Sequence, residues 1–124
     1  MAHGGFEDLF VWQKSMSLVT NVYSLTRSFP SDERFELTSQ MRRAAVSIPS
    51  NIAEGHARHT TKEYVLFVSH AEGSTAELQT QLRIAIDLGY CVPEVASVVF
   101  EQIAEIRKML NALRRELNAR IART

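Results

Sequence analysis

The stretch that decides the fold is Leu37-Thr-Ser-Gln-Met-Arg-Arg-Ala-Ala-Val-Ser-Ile-Pro-Ser-Asn-Ile-Ala-Glu-Gly55. Its apolar residues recur at steps of three and four, which places them on one face of an α-helix: Leu37, Met41, Ala44, Ile48 and Ile52. Polar residues follow the same steps on a neighbouring face: Gln40, Arg43, Ser47, Asn51 and Glu54. A proline inside a helix costs about 3 kcal/mol, yet the apolar spacing is kept across Pro49. We predict one helix that continues through Pro49 with a kink.

The composition is typical of a single folded domain. With 124 residues, of which 45% are hydrophobic and 23% charged, the chain can bury about two thirds of its unfolded surface. Cys91 is the only cysteine, so no intramolecular disulfide can form, and a lone thiol is typical of a reducing compartment. Residues 1–8 lack signal-peptide features, and no apolar run reaches the roughly 18 residues of a membrane span. We expect a soluble, cytoplasmic domain that does not enter a membrane.

Turn and capping residues divide the chain into four predicted helices, 8–28, 31–57, 61–88 and 93–120. Ser31 is a good N-cap for the second helix. A capping box at Thr60–Glu63 opens the third helix, and Gly89 ends it. Pro93 suits the first turn of the fourth helix, and no run alternates as a half-buried strand does. The chain is therefore predicted to be one all-α domain, residues 1–124, folded as an antiparallel up-down-up-down four-helix bundle.

Two of these helices carry more apolar residues than a bundle core needs, since one face of about three positions in seven is enough. The first helix has a stripe of Leu9, Trp12, Met16, Val19 and Tyr23 beside a second stripe of Val11, Leu18, Val22, Leu25 and Phe29. The fourth helix has a predicted core stripe of Val95, Val99, Ile106, Leu110, Leu113 and Leu117, with Val98, Ile103 and Met109 beside it. We interpret the surplus as a contact between subunits of a homo-oligomer. The doubled stripe with Val11, Leu18, Val22 and Leu25 is assigned to that contact, and the alternative is a wider core within one chain.

The formal net charge is zero, but the basic residues are concentrated near the C-terminus. Residues 106–124 contain six basic residues and one acidic residue, which leaves eight basic and thirteen acidic residues for the rest of the chain. A basic segment of this kind indicates binding to nucleic acid or to a membrane surface, whereas the alternative is that the cations complement a helix dipole. The candidate phosphate contacts are Arg107, Lys108, Arg114 and Arg115, with a second group of Arg42, Arg43, Arg58 and Lys62.

The polar face of the second helix has a counterpart on the third helix, where His70, Ser74, Glu77 and Gln81 recur at the same spacing. If the two faces meet, Arg43 can pair with Glu77, and Ser47 or Asn51 can hydrogen-bond across the contact. Such a network fixes the register of the helices. We therefore interpret one set of residues as a structural polar seam: Gln40, Arg43, Ser47, Asn51, Glu54, Ser74 and Glu77. The alternative is an anion-binding groove lined by Arg42, Arg43 and Arg58.

No combination of residues predicts catalysis. His56, His59 and Glu63 have the spacing of metal ligands on a helix, but the flanking residues place both histidines in a connection. Cys91 has no neighbouring histidine to activate its thiol, and the five glycines are too scattered for a phosphate-binding loop. We expect a non-enzymatic protein without a metal or a cofactor.

Several motifs match one known family over nearly the whole chain. They are Leu9-Phe-Val-Trp12-Gln-Lys14, Phe29-Pro30 with Glu33, the segment 37–55, Glu72-Gly-Ser74 with Glu77-Leu78, and Leu88-Gly-Tyr90. They resemble the four-helix-bundle proteins encoded in intervening sequences of bacterial 23S ribosomal RNA genes. The same family includes the accessory protein of diversity-generating retroelements, which works with a reverse transcriptase and its RNA.

The resemblance implies an antiparallel four-helix bundle that assembles as a ring of five subunits, with nucleic-acid binding as the leading role. This chain differs from the strongly basic retroelement proteins in its formal net charge of zero. Two classes of function follow. One is an oligomer that binds the backbone of RNA or DNA through basic patches, and the other is a scaffold for a protein partner with no direct nucleic-acid contact.

Overall fold

The computed structural model describes residues 5–124 and contains four α-helices in that range, with no strand. They are α1 (Phe10–Thr26), α2 (Leu37–His56), α3 (Thr61–Asp87) and α4 (Pro93–Arg123). The prediction of an all-helical chain with four helices is confirmed. Within these residues, no helix has both the length and the apolar character that crossing a membrane requires. Residues 1–4, part of the stretch that lacks signal-peptide features, lie outside the described residues.

The start of α2 differs from the prediction. Ser31–Glu33 forms a separate 3-10 turn, and α2 begins at Leu37. The reason is a side-chain cap from further away: the Glu33 carboxylate accepts the Leu37 N–H at 3.2 Å, so Ser31 does not cap the helix. Similarly, a 3-10 turn at Phe6–Asp8 precedes α1, which therefore begins at Phe10 and not at Asp8.

The predicted start and end of α3 are supported by its terminal hydrogen bonds. Thr60 Oγ1 accepts the Glu63 N–H at 3.1 Å, and the Thr60 hydroxyl donates to Glu63 Oε1 at 2.9 Å. At the other end Gly89 adopts a φ of +77°, a left-handed conformation that favours glycine. The N–H groups of Gly89 and Tyr90 then donate to Ile86 and Ala85, each at 2.9 Å, which closes the helix.

Helix α2 is continuous through Pro49, as predicted. Ile48 and Ile52, on either side of the proline, are both fully buried. The apolar face of the helix therefore points to the core both before and after Pro49, although the proline removes one backbone hydrogen bond. The kink stays a prediction.

The core forms where α2 packs against α3, α3 against α4, and α1 against both α2 and α4. Its largest fully buried side chains come from all four helices and include Leu18, Met41, Leu82 and Leu110. Helices α2 and α3 pack closely at Gly55, where an added Cβ would lie 2.8 Å from the Phe67 Cβ and 3.0 Å from the Tyr64 ring. Any side chain at position 55 would push α2 away from α3.

The assignment of the α1 stripes was wrong. Val11, Leu18, Val22 and Leu25 are buried within the single chain, so they cannot form a contact between subunits. The other stripe is the more exposed one, with Met16 42% and Tyr23 38% exposed. Both stripes are apolar, and only their position against α2 and α4 decides which one is core.

The predicted core stripe of α4 needs a similar correction. Val95 is 55% exposed, whereas Ile103, expected beside the stripe, is buried. The buried residues follow a shifted three-and-four spacing that begins at Ala96: Ala96, Val99, Ile103, Ile106, Leu110 and Leu117.

Candidate functional site

One end of the bundle collects basic residues from two distant parts of the chain. The charge of Arg120 reaches Tyr64, where burial raises the pKa of the phenol and the arginine acts in the opposite direction. Arg107 contacts Gln79 and Arg114 contacts Glu72, so α4 runs antiparallel to α3 and its end lies beside the start of α3. We call this region the basic end and define it by the basic residues of the α2–α3 connection, the start of α3 and the last turns of α4: Arg58, Lys62, Arg115, Arg120 and Arg123.

Only part of this positive charge is neutralised within the chain. Glu116 accepts from Arg120 at 3.5 Å and lies 3.9 Å from Arg123. Lys62 and Arg115 are exposed and form no hydrogen bond or ion pair with the residues that the structure describes. The basic end therefore presents positive charge to solvent.

Aromatic rings and imidazoles lie among these charges. The Arg58 guanidinium carbon is 4.6 Å from the centre of the Phe67 ring. His56 makes an edge contact with Tyr64 at 5.8 Å, and His70 makes one with Phe67 at 5.9 Å. Next to them, an open groove of about 290 Å³ is lined by Glu54, Ala57, Arg58, His59 and Glu63.

The metal-like spacing of His56, His59 and Glu63 does not form a site. His56 is the last residue of α2, and not part of the connection as expected, while His59 lies outside the helix. The Glu63 carboxylate already accepts from the Thr60 hydroxyl. No group of three histidine, cysteine or acidic side chains within residues 5–124 is arranged to hold a metal ion.

The first candidate group of phosphate contacts on α4 divides into two kinds of residue. Arg114 is half-buried and donates to Glu72 at 2.8 Å and to Asn111 at 3.1 Å, so its charge is used to join α4 to α3. Arg107 donates to the neutral Gln79 at 3.0 Å and keeps its charge exposed. Lys108 and Arg115 are exposed, with no partner among the described residues.

The second candidate group does not form one groove. Arg42 is directed at α1, where its Nε donates to Thr26 at 2.9 Å and its guanidinium lies 4.5 Å from the Tyr23 ring centre. Arg43 faces α3, and Arg58 and Lys62 belong to the basic end. The alternative of an anion groove lined by Arg42, Arg43 and Arg58 is therefore wrong.

The polar faces of α2 and α3 meet, but as an open groove and not as a buried network. Ser47 Oγ and Ser74 Oγ are 2.6 Å apart, which is the expected hydrogen bond across the contact. The Asn51 amide donates to its own helix at the Ser47 carbonyl, at 2.8 Å. Arg43 and Glu77 line the groove without forming the expected ion pair. Its volume is about 340 Å³, and the residues around it are Gln40, Arg43, Ala44, Ser47, Ser74 and Glu77. Glu54 instead lines the groove at the basic end.

The opposite end of the bundle is acidic. The Tyr90 hydroxyl donates to Glu33 at 2.5 Å, and its ring contacts Phe29. This hydrogen bond, together with the negative charges of Glu33, Asp32 and Glu36, raises the pKa of Tyr90 to about 12. The same carboxylate of Glu33 caps α2, so it joins the start of that helix to the α3–α4 connection.

Two grooves lie on either side of α1, an apolar one towards α2 and one of mixed polar and apolar lining towards α4. The groove towards α2 has a volume of about 330 Å³ and is lined by Trp12, Met16, Val19, Val46, Pro49, Ser50 and Ala53. The groove towards α4 has a volume of about 360 Å³, and its apolar wall consists of Val92, Val95 and Val98. Cys91 also lines it, and burial raises the pKa of its thiol. These grooves contain the surplus apolar surface that the sequence indicated.

The rings of the basic end and the contact of Tyr90 with Glu33 were not predicted from the sequence. A signal for the rings was present, because basic and ring-bearing residues alternate along one segment: His56, Arg58, His59, Lys62, Tyr64, Phe67 and His70. The Tyr90–Glu33 contact joins residues 57 positions apart, and no local pattern indicates it.

Comparison with known proteins agrees with the motifs. A crystal structure of a protein with unknown function from the S23 ribosomal protein family of Bacteroides thetaiotaomicron is similar, with a TM-score of 0.75 and 21% sequence identity. The match covers 83% of this chain and 96% of that chain, and at this identity it shows a shared fold. A search of curated proteins found no match. The family model described as 23S rRNA-intervening sequence protein matches residues 7–112. The chain therefore belongs to the 23S rRNA-intervening sequence protein family.

Proposed function

We propose that this protein is a non-enzymatic, oligomeric four-helix bundle that binds the backbone of RNA or DNA through its basic end. The observation that carries the proposal is the meeting of two basic segments that are distant in sequence. Arg58 and Lys62 come from the region after α2, whereas Arg115, Arg120 and Arg123 come from the end of α4. Clustered, exposed cations attract a polyanion and release its counterions on binding.

The exposed side of α4 extends this surface away from the basic end. Lys108 has no partner among the described residues, and Arg107 is bonded only to a neutral amide. Arg42 and Arg114 are excluded from the proposed contacts, because each is held by neighbouring helices. The remaining cations form a path along which phosphates of one strand can bind.

We also infer an up-down-up-down bundle that assembles as a ring, with five subunits. Ser47 contacts Ser74, whereas Gly55, later in α2, lies against Phe67, earlier in α3. This order of contacts supports an antiparallel arrangement of α2 and α3. Two different grooves flank α1, one apolar and one with an apolar wall of valines, and a ring uses two different surfaces of each subunit. In a ring the basic end is repeated in every subunit, which adds avidity for a polyanion. Light scattering that gave the 14.0 kDa mass of a single chain at micromolar concentration would contradict this assembly.

Binding to a labelled RNA strand and a DNA duplex, followed by fluorescence anisotropy at increasing salt, tests the proposed function. Replacing Lys62, Arg115 and Arg120 with glutamine is expected to weaken binding to both probes. Each lost phosphate contact should also reduce the salt slope on duplex DNA by about 0.9. The matched control replaces Arg27, Arg34 and Arg83 with glutamine, which removes the same charge away from the basic end.

Two results would contradict the proposal. An equal loss of affinity in both triple variants would show that net charge matters and the basic end does not. No binding by the parent protein at low salt would favour the alternative, a scaffold for a protein partner. The apolar groove between α1 and α2 is the observation that supports that alternative, since exposed apolar surface is typical of protein contacts.

A further inference from the structure

The guanidinium of Arg58 lies over an aromatic ring. Its central carbon lies 4.6 Å from the centre of the Phe67 ring, and Phe67 also contacts the imidazole of His70. Arg58 is exposed and lines an open groove, so a ligand in that groove can reach its guanidinium. A planar guanidinium that already contacts an aromatic ring can also stack with a nucleic-acid base.

The groove next to Arg58 has the chemistry of a base site rather than a phosphate site. Glu54 and Glu63 line it together with Arg58 and His59. Carboxylates repel phosphate, but they accept hydrogen bonds from the N–H groups on base edges. Lys62, which has no partner among the described residues, lies at the start of α3, and the end of α4 lies beside it. The cations around the groove can therefore bind phosphates, and the carboxylates within it can accept hydrogen bonds from a base.

We infer that this groove is a site for an unpaired base, so that the protein binds single-stranded RNA or DNA more tightly than duplex. The inference rests on the proposed function and specifies its ligand. A duplex keeps its bases stacked and paired, so it can contact only the cations. A single strand can contact the cations and also place one base on Arg58, which is expected to raise its affinity about ten-fold.

Three labelled probes of equal length separate the two contributions: a single strand, a duplex, and a strand of the same backbone with abasic sites. The single strand is expected to bind about ten-fold more tightly than the abasic strand, which has the phosphates without the bases. Arg58→Lys keeps the charge and removes the planar surface. This variant should bind the single strand as weakly as the abasic strand, with no change for the abasic strand or the duplex.

The matched control is Arg27→Lys, an equally conservative change at an exposed arginine outside the basic end and with no ring partner among the described residues. It should leave the ratio of single-strand to abasic affinity unchanged. A second variant, His59→Ala, should lower the same ratio, because His59 lines the groove. Circular dichroism of each variant checks that the helices are intact.

The outcomes distinguish the inference from the proposed function. Equal affinity for the single strand and the abasic strand, or an unchanged ratio in Arg58→Lys, would overturn the base site and leave backbone binding standing. Tighter binding of the duplex would do the same. No binding of any probe at low salt would overturn both proposals.

Discussion

Tyr64 and Tyr90 lie at opposite ends of the bundle and experience opposite charges. Tyr64 is close to Arg120, whose charge acts to lower the pKa of the phenol against the effect of burial. Tyr90 is bonded to Glu33 and is also close to Asp32 and Glu36, and all of these raise its pKa. A formal net charge of zero is therefore compatible with opposite local charges at the two ends of the bundle.

This difference teaches that the charge of the whole chain is a poor guide to what the protein can bind. Along α4 the acidic residues Glu94, Glu101 and Glu105 come first, and Arg120 and Arg123 come last. Cations at the C-terminus of a helix also complement its dipole. A polyanion that approaches the basic end meets clustered cations, although the protein as a whole is neutral.

The largest loss of stability is expected from disrupting the packing of α2 against α3 at the basic end. Gly55→Leu places a side chain where an added Cβ would lie 2.8 Å from the Phe67 Cβ. Helix α2 must then move away from α3, and we expect the free energy of unfolding to fall by about 3 kcal/mol. Urea unfolding followed by circular dichroism measures the change.

Gly73→Ala is the matched control, because an added Cβ at this exposed position of α3 meets nothing within 4 Å. Removing the flexibility of a glycine inside a helix should stabilise the protein by about 0.5–1 kcal/mol. A Gly55→Leu variant as stable as the parent would show that α2 and α3 are not closely packed at the basic end.

A smaller effect is expected at the ion pair that joins α4 to α3. Glu72→Gln leaves the Arg114 guanidinium, now 2.8 Å from the carboxylate, without a charged partner. Because both side chains are partly exposed, the free energy of unfolding should fall by only about 1 kcal/mol. The variant also releases a positive charge near the basic end, so affinity for a nucleic-acid backbone should rise as stability falls.

The control for this change is Glu105→Gln, which removes a carboxylate from the more exposed pair with Lys14. An exposed pair of this kind contributes about 0–1 kcal/mol. Equal losses of stability in Glu72→Gln and Glu105→Gln would contradict the role given to Arg114 in joining the helices.

The smallest effect is expected at the acidic end and depends on pH. The pKa of Tyr90 is raised from the ordinary value of 10.0 to about 12, chiefly by its hydrogen bond to Glu33. The folded state therefore favours the protonated phenol, so its contribution to stability is complete below pH 10 and is lost as the pH rises through 12. Tyr90→Phe should be less stable than the parent at pH 8, and this difference should narrow with increasing pH.

Urea unfolding of both proteins between pH 8 and pH 12 measures that difference, and comparison with the parent cancels the titration of other groups. A difference that stays constant up to pH 12 would show that the phenol does not depend on the carboxylate. The same pH series on Tyr64→Phe serves as the comparison for the acidic end, because Tyr64 has a cation rather than a carboxylate nearby.

Local patterns predicted the helices well because their signals lie within a few residues. Thr60 caps α3 through Glu63, three residues away, and Gly89 ends it through its own backbone conformation. The start of α2 was misplaced because its cap comes from the side chain of Glu33, four residues before Leu37. The sequence instead indicated Ser31 as the N-cap, because serine is one of the preferred N-cap residues.

Surface and core were harder to separate from the sequence. Met16 and Leu18 are both apolar residues of α1, yet Met16 is 42% exposed and Leu18 is fully buried. Arg114 and Arg115 are neighbours on α4, but Arg114 pairs with Glu72, 42 positions away, and Arg115 stays unpaired among the described residues. Spacing along one helix assigns residues to faces, whereas their partners depend on how the helices pack.

The position of Trp12 gives the protein a built-in optical probe. It is the single tryptophan of the chain, half-buried, in edge contact with Phe6 and part of the apolar groove between α1 and α2. An indole at such a boundary emits at a wavelength that depends on its access to water. If a second subunit covers the groove, as the proposed ring requires, the emission should shift towards the blue, and diluting the unlabelled protein should reverse the shift.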